Sequence, residues 1–335
     1  MPNKSVDPSK IAQRIQEKAS QQMLDLQPAN SLYVPDDDSC SRSSAQAKVA
    51  AQQVQETVFR ELFEDALQLP EKPVNTTLMP SELVRGALFS ARPKNQKRTL
   101  VKGRELASVG NQKIEFSGED LRQDDCDVYL KLIELAYDQK HENEPIRADS
   151  KICVQFSLYS LAKALGTKSF CSKKKKAMLD SLNRLRLGLL TIQSQRILNQ
   201  SQRRLSTIQF NLISNLTITE NSDRYYSGHT IICELPLALV FLLQGPHHTR
   251  IYWLQRQSLR SNAAKWLLNY LSSHKTPFPV KLATVSEGAG LQIKEPKNVR
   301  RTIHAAAKEL IEVGFLASYR IENDILHVVR EKPST

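Results

Sequence analysis

The sequence predicts an α+β protein with two tandem winged helix-turn-helix domains that follow a largely disordered N-terminal arm. Three observations predict this fold. A helix with one apolar and one basic face ends the chain together with a two-stranded hairpin, residues 172–210 repeat this order in a more basic form, and residues 1–80 differ from both in composition. Helix followed by hairpin is the second half of a winged helix, whose last helix enters the major groove of DNA. The predicted domains are therefore residues 1–80, 81–246 and 247–335.

The predicted arm, residues 1–80, carries eight Lys and Arg against eleven Asp and Glu and contains two stretches typical of linkers. These are residues 30–44, rich in Ser, Asp and Pro, and residues 69–80, with three prolines. Between them, residues 45–68 have the pattern of a helix that packs on a partner or on the rest of the chain. Upstream, the arm contains a short peptide similar to the Q-x-x-L-x-L/F sequence by which bacterial proteins bind the sliding clamp, although an ordinary amphipathic helix edge has the same pattern. Its matching residues are Gln21, Leu24 and Leu26.

The first folded domain is predicted from alternating helical and strand patterns between residues 81 and 246. Helices are predicted at residues 81–90, 119–137, 158–165 and 235–243, with a basic helix that starts at Ser172. Strands are predicted at residues 113–116, 152–156, 189–194, 206–212 and 225–233. Ser81 and Ser172 suit helix N-caps, and Gly166 suits a helix end.

The second domain repeats the order of helix, short strand, helix, basic helix and hairpin. Strands are predicted at residues 250–254, 280–281, 315–321 and 325–329, and helices at 258–273, 282–288 and 296–314. In the last helix five apolar residues recur on one face at a period of 3.6 residues. They are Val299, Ile303, Ala306, Leu310 and Val313. Pro296 suits the first turn of this helix, and Gly314 suits its end.

The net charge of +12 is unevenly distributed along the chain. Between Lys163 and Arg204 there are eleven Lys and Arg and a single acid, Asp180. So dense a positive charge favours an anionic partner, and double-stranded DNA is the one we expect. A merely solvated surface is the alternative.

Base contacts are expected from the exposed side chains of the two basic helices, and phosphate contacts from the flanking lysines and arginines. In the second domain the candidate DNA-binding residues are Lys297, Asn298, Arg300, Arg301 and His304. In the first domain, four consecutive lysines wrap a full helical turn and suit phosphate contacts; they are Lys173, Lys174, Lys175 and Lys176. Asn183 and Arg184 lie further along the same helix. The predicted first wing adds Arg196, Arg203 and Arg204.

Other classes of site are not indicated. The five cysteines are scattered, and His247 and His248 lack ligating neighbours, so no metal is expected. No glycine-rich phosphate loop is present, so no nucleotide cofactor is expected. Asp124, Asp125 and Asp127 do not share one face of their helix and do not suit a magnesium site. Without a leader or a membrane-spanning stretch, a cytoplasmic location is expected.

Four stretches of the chain resemble the TrfA family of plasmid replication initiators. They are LFSARPKN from Leu88, GEDLRQDD from Gly118, AKWLLNYL from Ala264 and SSHKTPFPVK from Ser272. The resemblance runs from about Leu83 to the C-terminus, and the stretches follow the order of the family with similar spacing.

The resemblance implies a protein without catalytic activity that binds direct repeats, called iterons, at a plasmid origin and promotes opening of an adjacent AT-rich region. It also implies contacts with the host replication initiator, the replicative helicase and the sliding clamp, and self-association to a dimer. Two other functions stay open: a tandem winged-helix transcriptional repressor, and a DNA-processing enzyme with Tyr225 or Tyr226 as nucleophile. The acidic arm with its clamp-like peptide favours the initiator.

Overall fold

The computed structural model describes residues 70–71, 73, 75–93, 95–106, 112–139, 152–194, 206–220, 229–244 and 248–331. All of them belong to the larger of two compact units, and they form a mixture of helices and strands. The predicted α+β class is therefore confirmed. The features predicted upstream of residue 70 lie outside the described residues.

The elements follow one another in the order that the sequence predicts, with additions. The first half contains β1 (Thr76–Pro80), α1 (Ser81–Val84), β2 (Leu100–Leu106), β3 (Gln112–Glu119), α2 (Gln123–Gln139), β4 (Ile152–Ser157), α3 (Leu158–Ala164), α4 (Ser172–Leu187), β5 (Leu189–Ser194), β6 (Ser206–Asn211), β7 (Asn215–Glu220), β8 (His229–Leu235) and α5 (Leu237–Gln244). The second half contains β9 (His248–Tyr252), α6 (Trp253–Ser258), α7 (Asn262–Ser272), β10 (Val280–Lys281), α8 (Leu282–Gly288), α9 (Pro296–Glu312), β11 (Leu316–Glu322) and β12 (Ile325–Arg330).

Strand β1 lies at the end of the segment predicted to be an arm. Its five residues are all buried, and it pairs antiparallel with β9 along its whole length. Helix α1 follows at once but ends at Val84 rather than at residue 90. Beyond it, the Gly86 carbonyl accepts a hydrogen bond from Trp266 Nε1 at 3.2 Å, and Ala91 N–H donates to the Ala289 carbonyl at 2.7 Å. Long-range bonds therefore replace the helical bonds that local propensity favours.

The other differences concern single elements. Strands β2 and β7 are not predicted by the sequence, and neither is α6, which begins inside the strand predicted at residues 250–254. Helix α7 corresponds to the helix predicted at residues 258–273 but begins four residues later. Strand β2 is an exposed edge strand with Gly103 at a φ of +53°, so it lacks the alternation that identifies a strand. Helix α7 starts afresh because the Ser261 side chain accepts a bond from Ala264 N–H. The N-cap of α4 is Cys171, one residue before the predicted Ser172.

Strand pairing differs between the two halves in one important respect. In the second half β10 pairs with β12, which gives the order β10-β12-β11. In the first half β4 pairs with β8 in the order β4-β8-β7, whereas β5 and β6 extend another sheet in the order β2-β3-β5-β6. By strand order, the counterpart of β11–β12 is therefore β7–β8. This position differs from the predicted first wing, which corresponds to β5–β6.

The predicted apolar stripe of α9 forms part of the core. Val299, Ile303, Ala306 and Leu310 are all buried, whereas Val313 lies at the C-cap and is half-buried. Each large aliphatic side chain buried in this way stabilises the fold by roughly 1.5–3 kcal/mol. The stripe faces α7, so the opposite face of α9 is left to solvent.

Gly118 lies where two parts of the first half approach closely, and we expect Gly118→Ala to destabilise the protein by about 2–4 kcal/mol. Its φ is +154°, and an added Cβ would lie 2.9 Å from both Gly188 Cα and Phe116 Cζ. Urea unfolding of the variant measures the loss. Gly103→Ala is the matched control because its φ is also positive but no atom lies within 4 Å of the added Cβ. Equal losses in the two variants would contradict the close approach at Gly188.

Candidate nucleic-acid interface

Helix α9 presents a basic face because its apolar residues and its basic residues occupy different positions of the helical repeat. Pro296 occupies the first turn, where its missing N–H costs nothing. The basic residues on the side away from the core are all exposed; they are Lys297, Arg300, Arg301, His304 and Lys308. Lys308 is absent from the predicted set, although its spacing of two turns from Arg301 is a signal for the same face.

The hairpin β11–β12 lies against one flank of this face. Arg300 Nη2 donates to the Ile321 carbonyl at 3.0 Å, and its Nη1 lies 3.4 Å from Asp324 Oδ1. The Tyr319 ring contacts the His304 ring edge to face, with centroids 5.5 Å apart. Arg300 and His304 therefore connect the helix to the hairpin.

The other candidates on α9 differ in how their polar groups are used. Asn298 Nδ2 donates to Glu295 Oε2 at 2.7 Å, so its amide is engaged at the helix start. The charged groups of Lys297, Arg301 and Lys308 make no hydrogen bond or ion pair with any described residue. We call the exposed basic face of this helix the α9 face, and these three cations form its centre.

Helix α4 carries the lysine run at its N-terminal turn. Lys173, Lys174 and Lys176 are exposed, and Lys175 is half-buried. Lys174 Nζ lies 3.1 Å from Ser169 Oγ, a neutral partner that leaves the positive charge available. These lysines continue around the helix and do not share one face, as predicted from their adjacency. Asn183, further along, is half-buried.

Arg184, predicted to contact DNA, is directed into the protein. Its Nε and Nη2 donate to Asp125 Oδ1 at 3.1 and 2.9 Å, and its side chain is only 12% exposed. Asp125 is fully buried and also accepts bonds from the Ser181 hydroxyl at 2.7 Å and Arg98 Nη1 at 2.6 Å. Burial by itself lowers the pKa of Arg98, but the charges and hydrogen bonds of Asp125 and Asp124 raise it overall. Arg184 therefore holds α4 against α2.

A second buried ionic cluster joins α2 to the second half of the chain. Arg256 is fully buried, and its Nε donates to Asp127 Oδ1 at 2.8 Å. Its Nη1 donates to Asn269 Oδ1 at 2.9 Å, and its Nη2 to Gln123 Oε1 at 2.9 Å. Lys265 Nζ forms an ion pair with the other oxygen of Asp127. The three aspartates of α2 do not all face one way: Asp124 and Asp125 share Arg98 within the first half, whereas Asp127 pairs with Arg256 and Lys265 of the second half.

Several predicted residues lie outside the described part of the chain: Arg196, Arg203 and Arg204 between β5 and β6, the peptide residues Gln21, Leu24 and Leu26, and the pair Tyr225 and Tyr226. Among the described residues, no group of three or more His, Cys, Asp or Glu side chains is arranged to hold a metal ion. In the same residues, no helix has both the length and the apolar character that a membrane span requires.

Comparison with known proteins identifies the family of the chain. The family model for the TrfA protein matches residues 34–330. The chain belongs to the TrfA family. A curated TrfA-family relative, "Plasmid replication initiator protein TrfA" of Escherichia coli, is 26% identical over 260 residues, which are 77% of this chain and 63% of that protein. The chain therefore spans less than two thirds of the length of this relative.

Two solved structures also resemble this TrfA-family chain. A crystal structure of domains 2 and 3 of RctB is 13% identical, covers 73% of this chain and 95% of its own, and has a TM-score of 0.43. A selenomethionine derivative of the same two domains is 12% identical, covers 76% of this chain and 99% of its own, and has a TM-score of 0.45.

The stretches on which the TrfA resemblance rests contain the buried clusters rather than the basic faces. GEDLRQDD includes Asp120, Arg122, Gln123, Asp124 and Asp125, and AKWLLNYL includes Lys265, Trp266 and Asn269. Arg122 is fully buried, and its Nε donates to Asp120 Oδ2 at 3.2 Å. Two of the four stretches therefore contain residues of the buried clusters, and none of the four contains a candidate DNA-binding residue.

Proposed function

We propose that this chain is a plasmid replication initiator that binds direct repeats, the iterons, at a plasmid origin. The observation that carries the proposal is the α9 face. Three exposed cations without internal partners among the described residues lie on a helix whose flank is covered by a hairpin, and β10-β12-β11 is the sheet that completes this unit. A helix and hairpin of this kind suit the major groove and the adjoining backbone of duplex DNA.

Each half of the chain is proposed to be a winged helix, with α4 and α9 as the two recognition helices. The order β4-β8-β7 matches β10-β12-β11, which supports an equivalent architecture. Because both helices belong to one compact unit, a monomer presents two basic helices. Such a monomer suits a directional repeat better than a palindrome, which suits a two-fold symmetric dimer.

The proposed DNA contacts follow the exposure of the candidates. On the two helices they are Lys173, Lys174, Lys175, Lys176, Asn183, Lys297, Asn298, Arg300, Arg301, His304 and, newly, Lys308. Arg196, Arg203 and Arg204 remain proposed backbone contacts between β5 and β6. Arg184 is left out, because its guanidinium is bound by a buried carboxylate.

The partners expected of such an initiator are part of the same proposal. They are the host replication initiator, the replicative helicase, the sliding clamp through Gln21, Leu24 and Leu26, and a second copy of the chain in a dimer. Opening of an AT-rich region, a cytoplasmic location and action by binding alone, without a cofactor, complete it. The second candidate function is a tandem winged-helix repressor, since the same basic helices suit operator DNA.

A replication assay separates the two functions. A plasmid that contains only this gene and the repeats of its own origin should replicate in a host that lacks other copies of the system. The expected result is stable plasmid maintenance that is lost when the repeats are deleted. Repression of a promoter that contains the repeats, without any replication, would assign the chain to the repressors.

The affinity for repeat DNA is expected to fall steeply with salt. If four of the exposed cations neutralise phosphates, log K against log salt has a slope of about −3.6, which is a loss of roughly 150-fold between about 50 and 200 mM salt, and further contacts make the slope steeper. Fluorescence anisotropy with a labelled repeat duplex measures the slope. Replacement of Lys173, Lys174 and Lys176 by Gln should make the slope shallower by about 2 to 3. An unchanged slope in that variant would contradict phosphate contacts at α4.

A further inference from the structure

An open cleft of about 680 Å³ lies on the flank of α9 that is opposite the hairpin. Its walls come from both halves of the chain: residues 91–93 and 96 from the first, and residues 260–263, residues 291–293 and Thr302 from the second. The walls are joined across the cleft, because Gln96 Nε2 donates to Gln292 Oε1 at 3.2 Å and Asn262 Nδ2 donates to the Arg92 carbonyl at 2.6 Å.

The geometry of the helix places this cleft beside the α9 face. Successive residues of an α-helix are rotated by about 100°. Arg300 contacts the hairpin, Arg301 follows on the exposed face, and Thr302 then lines the cleft. A duplex that lies on the α9 face is therefore flanked by the hairpin on one side and by the cleft on the other.

The lining of the cleft has the chemistry of a sugar–phosphate site. Besides five apolar residues it contains two arginines, side-chain amides and hydroxyls, but neither an acidic nor an aromatic residue. Side chains of these types make most contacts to phosphate and sugar, whereas sites for unpaired bases rely on aromatic stacking.

The two arginines of the lining have different environments. Arg92 is buried, with an ion pair to Asp120 at 3.5 Å, whereas Arg260 is exposed and its guanidinium has no partner among the described residues. The Glu309 carboxylate of α9 accepts hydrogen bonds from the backbone N–H groups of Arg260 and Ser261. Arg260 is therefore the cation that remains available to a ligand.

We propose that this cleft binds the sugar–phosphate backbone of duplex DNA beside the bases that α9 contacts, with Arg260 as the phosphate-binding residue. This inference rests on the proposed function, since it requires duplex DNA on the α9 face. If the cleft binds the backbone, the DNA contacts residues of both halves of the chain within the cleft. The cleft then adds a backbone contact outside the two recognition helices.

The test compares Arg260→Gln with Arg250→Gln, an exposed arginine of β9 that does not line the cleft. Each full-length variant is titrated with a duplex that contains an origin repeat and with the corresponding single strand, over a range of salt. For Arg260→Gln we expect affinity for the duplex to fall about tenfold and the salt slope to become shallower by about 1, because one charge-assisted phosphate contact is lost. Arg250→Gln should match the wild type. Gln292→Glu, which places a negative charge in the cleft, should also weaken duplex binding.

Each other outcome has a definite meaning. If the wild type binds the repeat duplex and Arg260→Gln binds it with the same affinity and slope, the cleft is not a backbone site, and the proposed function still stands. Equal losses in Arg260→Gln and Arg250→Gln would reduce the effect to overall charge and overturn the assignment. A loss confined to the single strand would assign the cleft to unpaired DNA instead. Failure of the wild type to bind the repeats would overturn both proposals.

Discussion

Replacement of Arg256 by methionine is expected to lower the free energy of unfolding by about 3–5 kcal/mol. Methionine fills a similar length but donates no hydrogen bond. Gln123, Asp127 and Asn269 would then each lose a partner inside the protein, and a buried polar group without a partner costs about 1–3 kcal/mol. Urea unfolding followed by circular dichroism measures the effect.

Arg250→Met is the control for this prediction, because Arg250 is exposed and its replacement should change stability by no more than about 0.5 kcal/mol. Arg256→Lys provides a graded comparison. An ammonium group can still pair with Asp127, but it cannot reach Gln123 and Asn269 in the fork geometry of a guanidinium, so an intermediate loss is expected. A loss below about 1 kcal/mol for Arg256→Met would mean that the cluster does not connect the two halves.

Local patterns predicted the elements of the second half other than α6, because their signals are short-range. The stripe of α9 recurs every turn, Pro296 and Gly314 mark its two ends, and the bounds of β10 and α8 follow the sequence residue by residue. The hairpin turn is equally local, since Asn323 and Asp324 have φ values of 48° and 56°, a conformation that these residues adopt more readily than most.

Features that depend on distant residues could not be predicted in this way. Asp127 and Arg256 are separated by 129 positions, and neither periodicity nor composition indicates that they meet. Strand β4 pairs with β8, whereas the hairpin β5–β6 that follows α4 belongs to another sheet. The strand patterns in the sequence are equally compatible with pairing of β4 to that hairpin. Arg184 illustrates the consequence for the site: its position on a basic helix suggested DNA, whereas the carboxylate that binds it lies on α2.

Replacement of Arg301 by alanine is expected to lower affinity for repeat DNA by about tenfold to a hundredfold and to reduce discrimination against a scrambled duplex, with stability unchanged. Arg301 is exposed at the centre of the α9 face, and its guanidinium has no partner among the described residues. A single arginine that contacts a base edge contributes about 1–3 kcal/mol of discrimination. Competition between the repeat and the scrambled duplex measures it.

Arg300→Ala separates base recognition from support of the hairpin, because the Arg300 guanidinium donates to the Ile321 carbonyl and lies close to Asp324. That ion pair is exposed, at 49% and 68% for its two side chains, so its loss should cost no more than about 1 kcal/mol of stability. We expect Arg300→Ala to weaken binding to both duplexes to a similar extent, since a looser hairpin affects backbone contacts more than base contacts. The opposite result would be that Arg301→Ala still discriminates fully between the repeat and the scrambled duplex, whereas Arg300→Ala does not. That result would make Arg300 the base-contacting residue and place the duplex nearer the hairpin.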